Sequence, residues 1–396
     1  MSGGTPIEQS RGAPGKTGPA DADPALDDGA AVDGVGADGD QAQTTRTGVT
    51  EEMPRVRLTR RRLWASGIFI GATVAFLYFV LPKLLGLGKT WDRIQHGDVK
   101  WLLGAAALEV LSFLSYIVLF RAVFVRGHSR IDMRASYEIT MAGLAATRLF
   151  AAGGAGGIAL TAWALRRSGL EPRVVACRMI AFTALIYGVF MATLVVVGVG
   201  LYLGVFPGQN PFALTIVPAI FGAAVIALFL GVSLLPGDFD RLVARWGRGG
   251  RVGRTAAQLA AAPAAAASGV RTAISLVRSR NLSLLGAIGW WGFDIAVLWA
   301  CFHAFGGSPP TAVVVMSYFI GMLGNLLPLP GGIGGVDGAL IGAFSAFGIA
   351  PALAVVAVLC YRAFAFWLPT LPGAVAYLQL RRTVQRWRAE GTPSYT

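Results

Sequence analysis

Polar and apolar positions separate along this chain into long blocks rather than alternating over short distances. Apolar runs stand at about Leu63–Leu81, Trp101–Phe120, Val174–Val205, Ala213–Leu235, Leu282–Phe305 and Pro351–Leu380. A helix rises about 1.5 Å per residue, so about 20 apolar residues cross a hydrocarbon layer about 30 Å thick. About six spanning helices are expected from these runs.

Two more apolar stretches are interrupted. In 324–349, GNLLPLPGGIGGVDGALIGAFSAFGI, the break holds Pro328, Pro330 and a glycine run. Proline lacks the helical N–H and glycine costs backbone entropy, so two half-helices are expected to meet there. A weaker copy stands at 147–170, TRLFAAGGAGGIALTAWALRRSGL. Both contain GGxGG, with Gly153, Gly154, Gly156 and Gly157 in the first and Gly331, Gly332, Gly334 and Gly335 in the second. Each is followed by a short apolar helix, a proline (Pro172, Pro351) and a long span with an early arginine (Arg178, Arg362). Broken segments paired between two halves point to a transport site. Glycines that only let helices pack closely are the other reading. The repetition with matching neighbours favours the first.

Arginine clusters give the orientation. They stand before the first span (Arg60, Arg61, Arg62), after the second (Arg121, Arg126, Arg130, Arg134), at Arg166 and Arg167, throughout 238–281, and after the last span (Arg381, Arg382, Arg386, Arg388). The positive-inside rule puts all of these, and both termini, in the cytoplasm. The segment 136–166 then leaves and returns on the cytoplasmic side, while the segment at 324–349 does so on the outer side. Span, re-entrant pair, span over 101–205 is mirrored over 282–380. The expected fold is an all-α polytopic integral membrane protein, with two re-entrant half-helix pairs in an inverted repeat. The Ala-rich part of the long loop, 256–270, is too short to span and is expected to be a cytosolic or interfacial helix.

Composition agrees. Of 396 residues 55% are hydrophobic and 14% charged, against about 25% charged in soluble domains. The net charge of +13 is uneven: residues 1–52 hold three basic and ten acidic residues, leaving 31 basic and 11 acidic over the rest. Anionic lipid headgroups explain such a surface more simply than nucleic acid, because the arginines flank apolar spans. Residues 1–58 read as a disordered acidic, Gly-rich tail with a basic membrane-proximal end, 59–382 as the membrane domain, and 383–396 as a short cytoplasmic tail.

Ionisable groups inside the membrane are costly and mark function. They are Glu109, Arg148, Arg178, Asp294, Asp337 and Arg362. Arg362 lies deep in the last span. Its guanidinium fork suits a lipid phosphate, or it pairs internally with Asp294 or Asp337. Asp337, in the first turn of a half-helix, caps that helix or serves a substrate amine or proton coupling. The glycine-rich N–H groups at the helix start suit an anion. Arg148 is a second candidate anion contact, and Glu109 and Arg178 are placed near the interfaces.

Catalytic patterns are missing in usable form. Asp238-Phe-Asp240 has the DxD spacing that holds a metal and nucleotide-sugar, but follows a Pro-Gly at a span end, where Asp238 caps a helix. No Ser-His-Asp, Cys-His, Walker or dinucleotide pattern has its required context. No cofactor or metal is expected. Cys177, Cys301 and Cys360 lack metal spacing, and His96, His128 and His303 stand isolated.

At PLPGGIGGVDGAL (328–340), and again at GGAGG…LRRSGL, the chain resembles the lysylphosphatidylglycerol synthase transmembrane-region family, also called flippase-like. The likeness covers about residues 60–380. The family often has Pro before the first glycine cluster and Glu in the second motif; Ala152 and Asp337 stand there in this chain. Members that make lysyl-lipid carry a soluble aminoacyl-transferase domain after the membrane part. This sequence ends at Thr396, so the resemblance implies the lipid-translocating half alone.

The leading expectation is a non-enzymatic translocator of a phosphate-bearing lipid, a phospholipid, aminoacylated phospholipid or polyprenyl-linked glycolipid, in the cytoplasmic membrane. Its partners are anionic-headgroup lipids. Two other readings stay open: a membrane subunit of a separate lipid- or glycan-modifying enzyme, and a small-solute transporter.

Overall fold

A computed structural model describes residues 97–125, 130–149, 155–234, 265–326 and 332–390. The acidic tail, the expected span Leu63–Leu81, Asp238–Asp240, Gly153, Gly154 and Gly331 lie outside the described residues.

The described chain is helical, with no strand. Helix α1 (Val99–Phe124) begins where the Asp98 side chain accepts a hydrogen bond from Lys100 N at 2.9 Å, satisfying a donor that a helix start leaves open. Then come α2 (Met133–Leu149) and α3 (Ala155–Arg167), of 17 and 13 residues. Next are α4 (Pro172–Tyr202), with proline in its first turn, and α5 (Phe212–Ser233). Helix α6 covers 265–278, within and beyond the Ala-rich stretch. It buries Ala267, Val270, Ala273 and Leu276, one face at three-residue spacing, and lies on α4 through Cys177, Ser268 and Thr272.

The second half starts with a 3-10 turn, Leu282–Leu285, leading into α7 (Gly286–Ala304). Helices α8 (Thr311–Met322) and α9 (Gly335–Ala346) have 12 residues each. Helix α10 (Pro351–Arg362) continues through a π-helical turn (Ala363–Trp367) into α11 (Leu368–Ala389). The expected sixth span therefore runs well past Leu380.

Among the described residues, five helical segments can cross a membrane by length and composition: α1, α4, α5, Leu282–Ala304 and Pro351–Ala389. They match five of the six expected spans. The interrupted stretches instead form the short pairs α2–α3 and α8–α9, each helix packed on its neighbour. At about 1.5 Å per residue, the 12-residue helices are about 18 Å long and fall short of a bilayer.

The two halves meet chiefly through α1 and α7, the helices that open them. Small residues allow the approach, since a Cβ on Gly286 would collide with the Ser115 carbonyl, as expected where apolar lipid drives no helix association. Ser112 Oγ donates to the Trp290 carbonyl at 2.9 Å, and Trp101 packs edge-on to Trp299. The halves also meet where α2 lies along α11 and where α8 touches α4.

Candidate functional site

The glycine-rich break positions the first group of side chains. Gly332 and Gly334 have φ of +64° and +84°, a region a side chain rarely adopts. This turns the chain into α9 with Gly334 N donating to Asp337 Oδ2 at 2.7 Å. Asp337 therefore caps its own helix, as its place in the first turn suggested. Its other oxygen, Oδ1, stands 2.7 Å from Arg362 Nε. The two charges touch, although the angle falls short of a hydrogen bond. Asp337 is 2% exposed and Arg362 9%, so this is a buried ion pair. Of the two internal partners open to Arg362, the structure selects Asp337. The guanidinium also lies over the Phe366 ring, 4.6 Å from its centre and one turn along.

One residue before Arg362, Tyr361 belongs to a second group. Its hydroxyl donates to Asp294 Oδ2 at 3.0 Å, and the Tyr318 hydroxyl donates to the same oxygen. Asp294 interacts in turn with Glu109 and Arg148. Glu109 of α1 is 4% exposed, and its Oε2 has no hydrogen-bond partner.

Arg148 joins the halves. Proline at 369 has no N–H for the Ala365 carbonyl, and its ring would crowd that group. The chain answers with the π-helical turn, and Arg148 Nη2 donates to the Ala365 carbonyl at 2.8 Å. The next carbonyl, Phe366, accepts from Thr370 Oγ1 at 2.6 Å and lies 3.5 Å from Arg148 Nη1. So Arg148, at the end of α2, fills an acceptor freed in the last helix. One polar cluster results, with carboxyl groups from α1, α7 and α9, arginines from α2 and α10, and two tyrosines.

Other candidates lie apart from it. Arg178 Nη1 donates to the Phe124 carbonyl at 2.8 Å and closes the end of α1. Gly156 and Gly157 lie in the first turn of α3. A Cβ on Gly157 would overlap Thr147 Oγ1 and the Gly143 carbonyl. In the second pair, a Cβ on Gly324 would stand 2.5 Å from the carbonyl oxygen of Gly335. These glycines let the short helices of each pair touch.

Three features escaped the sequence reading. The tyrosines carry no charge and sit in apolar runs, so hydropathy conceals them. Glu138, fully buried, accepts from Arg134 Nε at 3.0 Å and from Thr383 Oγ1 at 2.6 Å. Arg134 also lines a cleft of about 580 Å³, with Gln379, Arg382, Gln385, Arg386 and Ala389. The arginines were legible as a basic flank, but their convergence needs α2 laid along α11. Among the described residues no group of His, Cys, Asp and Glu could hold a metal ion. His303 bonds the Trp299 carbonyl at 2.9 Å and packs on Trp101 and Trp299.

Long apolar helices around an ionic centre define a multi-pass helical membrane protein. The model of the lysylphosphatidylglycerol synthase TM region matches residues 64–373, and the chain belongs to that family. It is 24% identical to a UPF0104 membrane protein of Methanothermobacter thermautotrophicus over 312 residues, 74% of this chain and 89% of the relative. Another match to a UPF0104 membrane protein of that organism gives 36% identity over 109 residues, 27% of this chain and 31% of the relative. A UPF0104 membrane protein of Methanocaldococcus jannaschii is 34% identical over 95 residues, 24% of this chain and 28% of the relative.

Proposed function

We propose that this protein moves a phosphate-bearing lipid between the leaflets of the cell membrane, with both termini in the cytoplasm and the two short helix pairs re-entrant from opposite sides. The observation that carries the reading is the buried cluster built by both halves, with Arg362 and Arg148 inside it. Buried ionic groups in spanning helices are costly and mark substrate or ion paths. The arginine-lined cleft gives a headgroup a basic entrance, as basic pockets between helices do for anionic lipids. The family's name, with its reference to a lipid synthase, points the same way.

In the arrangement described, Arg362 is engaged by Asp337 and the Gly334 N–H by the same carboxylate. A headgroup phosphate therefore has to compete with Asp337 for both. Exchange of the carboxylate for phosphate is then the binding step, and return of Asp337 is the release step. A guanidinium suits this exchange because its planar fork fits carboxylate and phosphate alike.

The test is a leaflet-resolved assay in proteoliposomes carrying a labelled anionic phospholipid. The native chain should outpace empty liposomes, and Arg362→Ala and Asp337→Asn should lose the gain while remaining folded. Folded native protein that moves none of this lipid overturns the reading and favours a membrane subunit serving a separate lipid-modifying enzyme.

A further inference from the structure

Glu109 is a buried carboxyl group, and one of its oxygens, Oε2, is enclosed without a hydrogen-bond partner. A bare carboxylate oxygen in such a place is strongly unfavourable, because burial strips its water without supplying a donor. Its neighbour Asp294 is differently placed. Two tyrosine hydroxyls donate to Asp294 Oδ2, and hydroxyl donors stabilise the charged form of a carboxyl group. Two carboxylates in one enclosed site do not both ionise readily.

The surrounding charges agree. From α7 come Asp294 and Cys301, from α2 Arg148, and from α8 Tyr318. From α10 come Cys360, Tyr361 and Arg362; Arg178 of α4 is engaged at the far end of α1 with the Phe124 carbonyl. Asp337 offsets Arg362. Arg148 offsets one further carboxylate, and Asp294, with its two hydroxyl donors, is the one suited to carry that charge. Glu109 is left over, and a proton on it removes the excess charge while giving the pair an O–H donor.

We propose that Glu109 and Asp294 form a proton-sharing carboxyl pair across the α1–α7 contact, with the proton held on Glu109, and that lipid movement is coupled to its release. The release breaks the Glu109 O–H bond and passes the proton to a water molecule admitted when the cluster opens; uptake from water on the other side reverses it. The energy source is a proton gradient across the membrane. The coupling half of this proposal rests on the lipid-translocation reading; the proton site does not.

Two measurements separate them. Infrared spectroscopy of the purified full chain at neutral pH should show the carbonyl stretch of a protonated carboxyl group, shifted in heavy water. Glu109→Gln, which keeps size and a donor, should lose that band. No such band in the native protein, or an unchanged band in Glu109→Gln, overturns the proton site. In proteoliposomes with labelled anionic phospholipid, an imposed pH gradient should change the native transport rate several-fold. Glu109→Gln should move lipid equally with and without the gradient. A native rate indifferent to the gradient overturns the coupling. Native protein that moves no lipid overturns both the coupling and the translocation reading, and the infrared result still decides the proton site.

Discussion

The pairs α2–α3 and α8–α9 are built alike and equipped differently. Each closes on a glycine contact, Gly157 on Gly143 in the first and Gly324 on Gly335 in the second. Two residues beyond the last glycine of GGxGG the second pair has Asp337, bound to Arg362, while the first has the exposed Ala159. The first pair instead sends Arg148 into the other half, to the carbonyl freed by Pro369. The early arginines of the following spans also part ways, since Arg178 closes a helix end and Arg362 forms a buried pair. The shared feature is therefore packing, and the ionic chemistry is concentrated where the second break meets the last helix.

The largest expected effect comes from breaking that asymmetry. Arg362→Ala leaves Asp337 buried without its counter-charge and should cost about 3–5 kcal/mol, read as a lower unfolding temperature in detergent. Adding Asp337→Asn should recover a large part of the loss. Gly157→Ala and Gly324→Ala should each cost about 1–3 kcal/mol by overpacking. Similar losses in the same unfolding assay would sharpen the claim that the pairs share one packing plan; a harmless change at either would break it.

Smaller effects test the bridge and the helix end. Arg148→Lys keeps the charge but loses the planar donor pair at Ala365 and Phe366, and should cost about 1.5 kcal/mol. In a Pro369→Ala background, where an N–H can again reach the Ala365 carbonyl, the same substitution should cost less than half as much. A double-mutant cycle measures this coupling. Arg178→Gln, the smallest change, should cost about 1 kcal/mol and leave the lipid rate of the native chain intact.

The sequence disclosed these regions unequally. Spanning helices were legible because length and hydropathy alone define them. A partner for Arg362 was also legible, since a charge so deep in a span needs one, and Asp337 and Asp294 were the candidates. The choice was not, because Asp294 is taken by two tyrosines whose polarity is hidden in apolar runs. Pro369 announced an open carbonyl, but its donor stands 217 residues away from Ala365, a distance only the fold resolves. The glycine clusters supported both the packing and the anion reading. Packing is visible at Gly157, Gly324 and Gly335, while Gly334 gives its N–H to Asp337.

The most direct test of the ionic centre as the lipid path replaces the pair without leaving a lone charge. Buried ion pairs exchanged for well-packed apolar residues often keep or gain stability. The double variant Arg362→Met with Asp337→Leu should therefore fold, with a loss limited to the cap that Asp337 gives Gly334 N, about 1 kcal/mol. In the leaflet-resolved proteoliposome assay it should move anionic lipid no faster than empty liposomes. A folded double variant that matches the native rate would contradict the account.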